Sequence, residues 1–315
     1  MRLDVHAHYF SPEYLGLLER LGTDPKTLEP GHRLLHPTRE ADFTERFAAM
    51  DRARIDKQIL SVSGVSPYSL EEKNAIEGAR FVNDLYAGLA REMPARFAAF
   101  GVLPMPHVNA AIAEIARCLD ELDMWGVTMT TSILGTSLAD PAFDPIYAEL
   151  DKRGAVLFLH PAGLACGSPE LVETGLTWPL GAPFEDSMAV LELLQSGFNQ
   201  RFPRIKTIVP HLGGTLPFLI QRLDHMAQRF MPGKGVPREE LRKFWYDTVN
   251  GHPPSLRLAI ETFGLERIVF GTDWPFWKGE AHQLAADHLD QSGLSAAQIA
   301  AIDSGNARAL FGDRI

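Results

Sequence analysis

The chain has 315 residues, 45% of them hydrophobic, and a formal net charge of −10, which suits one domain with a sizeable core. The acidic balance argues against nucleic acid or an anionic membrane as the main partner. No run approaches transmembrane length and no apolar signal-peptide core opens the chain, so the expected compartment is the cytoplasm, with Cys118 and Cys166 as reduced thiols.

The opening run Leu3-Asp4-Val5-His6-Ala7-His8 reads as a buried strand. Side chains alternate faces along a strand, so His6 and His8 point the same way and can grip one divalent cation. Residues 9–40, rich in Pro, Gly and His, read as an irregular loop, followed by an amphipathic stretch at 42–54. Further strands are expected at about 57–63, 96–103, 126–131, 155–160, 205–211, 244–250 and 267–273. Between most of them lie helical periods, at 70–93 behind a Ser69-x-x-Glu72 capping box, and at 108–122, 142–153, 186–200 and 215–230. Strand and helix alternate about eight times, which predicts a single-domain (β/α)8 barrel spanning 1–315. A second irregular segment, 161–185, carries four glycines. Both irregular segments follow strands ending in candidate ligands, so both are expected to cap a site, the alternative being plain surface excursions.

Three more chemistry-bearing residues close apolar runs. His160 ends Val156-Leu-Phe-Leu159, His211 stands in Val209-Pro-His211-Leu-Gly-Gly214, and Asp273 ends Ile268-Val-Phe-Gly-Thr-Asp273. Singly, each reads equally well as a hydrogen-bonded strand end. Together with His6 and His8 they occupy the C-terminal strand ends, where barrel enzymes place functional groups. A carboxylate buried there needs a cation or donor. Asn250 and His252 either face the same pocket or make the turn before Pro253-Pro254. His32, His36, His107, His225, His282 and His288 lack strand-end placement and are expected in loops or at the surface.

His6-x-His8, His160, His211 and Asp273 in this order resemble the amidohydrolase superfamily. Phe270-Gly-Thr-Asp273-Trp-Pro-Phe276, His211-Leu-Gly-Gly214 and Phe202-Pro-Arg-Ile-Lys206 are similar to its branch containing aminocarboxymuconate-semialdehyde decarboxylase and the resorcylate and methylsalicylate decarboxylases. That resemblance implies His6, His8, His160 and Asp273 as metal ligands and His211, with Asp273, as the acid/base pair. The fourth strand holds no lysine to be carbamylated and bridge a second metal, so one divalent ion per subunit is implied: Zn2+ first, with Mn2+ also compatible with the ligand types.

The resemblance also implies substrate contacts. Arg46 matches a segment that donates a carboxylate-binding arginine, Arg222 a position that reaches across a dimer interface, and Trp178 a pocket-lining aromatic. Trp274 and Phe276 are candidates for the same wall. Both arginines read otherwise as solvated helix residues. The expected function is a metal-dependent, non-oxidative decarboxylase of a small aromatic or conjugated acid, with a salicylate such as 6-methylsalicylate favoured, working as a homodimer or a tetramer. Two other readings stay open: a hydrolase or hydratase using metal-activated water, and a non-catalytic barrel subunit.

Overall fold

A computed structural model covers residues 1–315. Eight parallel strands lie side by side in chain order: β1 (Leu3–His8), β2 (Lys57–Ser61), β3 (Phe97–Val102), β4 (Gly126–Thr130), β5 (Val156–His160), β6 (Lys206–Val209), β7 (Trp245–Asp247) and β8 (Ile268–Val269). The chain beyond β8 returns to β1. Val5 N–H donates to Phe270 O, Asp273 N–H to His6 O and His8 N–H to Trp274 O, at 2.9, 2.7 and 2.6 Å. Those bonds close the sheet into a (β/α)8 barrel.

The lumen is filled from below, as close packing requires. Leu3, Val5, Ile59, Phe100, Val156, Phe158, Ile208 and Val269 form one buried cluster, and Leu310 and Phe311 from the C-terminal helix plug its N-terminal mouth. On β5 simple alternation puts Val156, Phe158 and His160 on the same face. On β1 it does not suffice. Between Asp4 and Ala7 this strand carries one more residue than β2, a bulge that resets the parity. Val5 therefore packs in the lumen and His6 does too, its ring edge-on to Phe158 at 5.0 Å.

The helices pack outside through a second, larger apolar cluster. Segment 9–40 is not irregular: it folds into α1 (Pro12–Arg20) and α2 (Pro25–Leu34), and α3 (Arg39–Arg52) begins before its end. Ser11, Asp24 and Thr38 supply the N-caps, with Pro at the first helical position of α1 and α2. The helix after β2, α4 (Glu72–Glu92), lacks the expected capping box. Ser69 Oγ instead accepts from Glu71 N–H in the turn before it. Beyond α5 (Val108–Ala116) and α6 (Asp144–Arg153), segment 161–185 includes the short helix α7 (Pro169–Glu173), a 3-10 turn at Ala165–Gly167 and a π-helical turn at Thr177–Gly181. The next helix, α8 (Ala182–Ser196), starts and stops four residues earlier than its periodicity implied. Left-handed Gly197 ends it, and α9 (Phe198–Arg201) follows. The outer ring is completed by α10 (Leu216–Phe230), α11 (Pro237–Leu241), α12 (Pro253–Phe263) and α13 (Gly279–Asp287).

His282 and His288 lie in the core of this ring rather than at the surface. The His282 ring meets Trp274 edge-on at 5.0 Å, and its Nε2 has no hydrogen-bond partner. Burial first, then the charges of Arg52 and Arg46, push its pKa from 6.5 down to about 4. The unfolded chain binds this proton near pH 6.5 and the folded chain only near pH 4, so stability is full above that window and falls as the pH drops through it. Urea unfolding across the window should show His282→Leu losing less stability on acidification than wild type. An unchanged slope would place the acid sensitivity elsewhere.

Candidate metal centre and pocket

Three strands converge on one point above the lumen plug. His6 and His8 from β1, His160 from the end of β5 and Asp273 beyond β8 are all buried, and one ligand atom of each lies within 4.8 Å of the others. The orientation of each imidazole is set from behind. His6 Nδ1–H donates to Asp247 Oδ2 at 2.6 Å, His8 Nδ1–H to the Ser61 carbonyl at 3.2 Å and His160 Nδ1–H to the Pro161 carbonyl at 2.9 Å. Carboxylates and carbonyls only accept, so the protons sit on Nδ1 and the three Nε2 atoms turn inward. His6 Nε2 and His8 Nε2 stand 3.2 and 3.1 Å from Asp273 Oδ1, while His160 Nε2, also buried, has no hydrogen-bond partner.

The electrostatics suit a cation. Burial pushes His160 well below the ordinary histidine range and His8 down to about 4, so both offer lone pairs. Burial works against ionised Asp273, yet the His6 charge first, and then the close imidazoles around it, hold its carboxyl well below the usual range. His6 is the exception: burial lowers it, but the Asp247 and Asp273 charges prevail and raise it to about 9. The same two carboxylates that favour a proton on His6 favour a metal ion in its place. Three imidazoles and one carboxylate, each braced from outside, form a donor set that fits a divalent cation.

His211 stands apart from this set. Its Nδ1–H donates to Asp186 Oδ2 at 2.8 Å and its Nε2 lies 3.8 Å from Asp273 Oδ2. The backbone there is left-handed, with φ of 54° at His211 and 53° at Leu212, held by His211 N–H donating to Asp247 Oδ1. Above the centre opens a cavity of about 460 Å3 walled by His160, His211, Asp273, Trp178, Phe276 and Arg33. Trp178 is seated by a glycine: at Gly163, φ +76°, a Cβ would lie 2.8 Å from the indole. Buried Glu185 fixes that loop, accepting from the N–H groups of Ala162, Gly163 and Ala165 and from the Thr131 hydroxyl.

The sequence matches the amidohydrolase family (Amidohydrolase) over residues 3–312. The chain belongs to that family. It is 31% identical to the 6-methylsalicylic acid decarboxylase of Penicillium expansum, over 98% of this chain and 96% of that one. It is 32% identical to the 2-amino-3-carboxymuconate-6-semialdehyde decarboxylase of Dictyostelium discoideum, over 75% of this chain and 67% of the relative. In structure it resembles the dihydroxybenzoic acid decarboxylase of Polaromonas sp., solved with manganese and the inhibitor 2-nitroresorcinol. There the TM-score is 0.82 and the identity 27%, across 98% of this chain and 96% of that one. A divalent-metal site is thus common ground between this amidohydrolase and a solved neighbour.

Several residues singled out in the sequence fall elsewhere. Arg46 is wholly buried behind β1, not in the cavity: its guanidinium donates to Asp42 Oδ1, Gln58 Oε1 and the His8 carbonyl. Each of its three nitrogens is thus bonded to the protein itself. Arg222 lies on the outer face of α10, in a shallow groove against α8 with Leu191, Leu219 and Met226, and does not line the cavity of its own chain. Trp274 packs behind the centre against His282, whereas Phe276 and Asn250 do line the cavity. His252 makes the turn, its Nδ1 bonded to Ser255 Oγ.

Three residues escaped the sequence reading. Arg33, on α2, puts an exposed guanidinium on the cavity rim; the Pro, Gly and His around it in the sequence read as loop. Asp186 and Asp247 hold His211 and His6. Asp247 interrupts the apolar strand Trp245-Tyr246-Asp247-Thr248-Val249, and a carboxylate in such a run is a costly burial that signals a partner. Replacing it should loosen the metal. Asp247→Asn is expected to lower divalent-metal affinity about 10- to 100-fold, read by chelator competition on protein whose unfolding curve matches wild type. An unchanged affinity would show that His6 needs no carboxylate behind it.

Proposed function

We propose that the protein is a metal-dependent, non-oxidative decarboxylase of a small aromatic carboxylic acid, with a salicylate such as 6-methylsalicylate as the first substrate to try. The observation that carries it is His211: an imidazole beside the metal residues, outside the ligand set, with Nε2 turned toward Asp273 and the cavity. His6, His8, His160 and Asp273 would hold the divalent cation, which would supply positive charge to draw in a substrate carboxylate. Zn2+ is our first assignment and Mn2+ the competing one; both accept nitrogen and oxygen donors.

The chain's own residues then account for the remaining needs of the reaction. Breaking the ring carbon–carboxylate bond leaves an electron pair on carbon unless a proton reaches that carbon first. His211 Nε2–H delivers it, the C–CO2 bond breaks, and its electrons restore the ring. Trp178 and Phe276, with ring centroids 5.8 Å apart, form an aromatic wall that orients a flat substrate and excludes water. With Arg46 engaged inside the wall, we assign substrate-anion recognition at the rim to Arg33. CO2 release from substituted salicylates, aminobenzoates and the aminocarboxymuconate semialdehyde tests the reaction. Turnover should vanish on chelation and return with Zn2+ or Mn2+, and His211→Ala should lose about 100-fold or more while retaining metal. Silence across this panel from metal-loaded protein, with solvent oxygen-18 entering a product, would replace the decarboxylase by a hydrolase or hydratase.

We further propose a cytoplasmic homodimer in which Arg222 serves the neighbouring site. Its support is the groove between α8 and α10 that holds Arg222, flanked by Phe218, whose side chain is 83% exposed. No helix is long and apolar enough to cross a membrane. Mixing inactive Arg222→Ala subunits with inactive His160→Ala subunits should restore part of the activity, since one mixed dimer holds one intact site. No recovery in verified mixed dimers would remove Arg222 from the site.

A further inference from the structure

The first two turns of α8 hold three consecutive buried polar residues, Glu185, Asp186 and Ser187, where the packing of an outer helix calls for apolar ones. Each reaches a different partner. Glu185 ties down the loop that carries Trp178. Ser187 Oγ accepts from Thr215 N–H and bonds Thr215 Oγ1, both at 2.8 Å, stapling α8 to the turn after β6. Asp186 lies between them and meets His211 alone.

The close approach that permits this is built into Gly214. At Gly214, φ +61°, a Cβ would fall 2.1 Å from the Pro183 carbonyl oxygen and 2.7 Å from Ser187 Oγ. No other residue lets the start of α8 come so near the His211 turn. Fastening the helix does not account for a carboxylate there, because Ser187 already does so without charge. Asp186 is fully shielded from solvent, faces the like charges of Asp247 and Glu185, and leaves its Oδ1 without a partner. A carboxylate in such surroundings is disfavoured unless one strong hydrogen bond offsets the burial.

We propose that Asp186 is a positioning residue for His211: its Oδ2 holds the Nδ1 proton, fixes the tautomer and leaves Nε2 as the atom presented to the substrate. Asp247 braces the metal ligand His6 by the same Nδ1–carboxylate contact, so two aspartates orient two histidines with different tasks. With Asp186 in place the ring has no freedom to turn toward the neighbouring ligands. The role of Nε2 rests on the proton-donor reading of His211; the hydrogen bond itself does not.

The test separates the two. In zinc-loaded protein labelled with 15N-histidine, a far-downfield ring proton should correlate with Nδ1 of His211 and disappear in Asp186→Asn and Asp186→Ser. Its absence from the wild type would overturn the proposal whatever reaction the enzyme performs. Kinetics follow the observed turnover, whether CO2 release or water addition. Asp186→Asn should lower kcat about 10- to 100-fold with KM and metal content unchanged. In the His211→Ala background the same substitution should bring no further loss. Full activity in Asp186→Asn, or losses that multiply in the double variant, would overturn it. Should Asp186→Asn misfold, Asp186→Ser carries the same comparison, with matching thermal unfolding as the check.

Discussion

The architecture of the site depends on the seam where the first strand meets the last. Asp4 lies there, wholly buried, and its carboxylate collects four hydrogen bonds. Oδ1 accepts from the N–H groups of His6 and Thr272, and Oδ2 from Gln58 Nε2 and Thr272 Oγ1. Three segments that are far apart in the chain are thereby fixed within one another's reach. Asp273, the next residue after Thr272, is bonded through its N–H to the His6 carbonyl and turns into the left-handed region at φ 62°. That turn aims its side chain at His6 and His8. The parity shift in β1 supplies the complementary half, bringing both histidines into the lumen.

Much of this was legible in the sequence. His6, His8, His160, His211 and Asp273 each close an apolar run, and in a parallel barrel every such run ends at the same face. What escaped had no periodic or terminal mark. Arg33 belongs to a helix of only ten residues with Pro30 and Gly31 inside it, a composition that reads as loop, yet Asp24 and Pro25 were a helix start in plain view. Arg46 misled in the opposite way. Its segment was found where expected, but which face of α3 it occupies, and how deep, depended on packing against Gln58 and the back of β1. The bracing aspartates are a long-range matter: Asp247 is 241 positions from His6, and Asp186 is 25 from His211.

The histidines of the site divide by what stands behind them. His8 and His160 lean on neutral groups, the Ser61 and Pro161 carbonyls, whereas His6 and His211 lean on carboxylates. A carboxylate behind an imidazole makes it a better base and a better electron donor than a carbonyl does. Basicity is therefore concentrated on one metal ligand and on the proton carrier. Both braces belong to the far side of the barrel from β2, on β7 and α8. The Trp178 loop, clamped by Glu185 from the same turn of α8, closes over that more basic side.

The seam also has a consequence for how the molecule comes into being. Ribosomes build the chain from its N-terminal side, so His6 and His8 emerge well before Asp273. Until the final strand has left the exit tunnel, Asp4 lacks its Thr272 partner and the histidine pair lacks its carboxylate. A growing chain can thus display two or three imidazoles, but the complete four-residue grip, and with it commitment to one ion, waits until Asp273 has emerged.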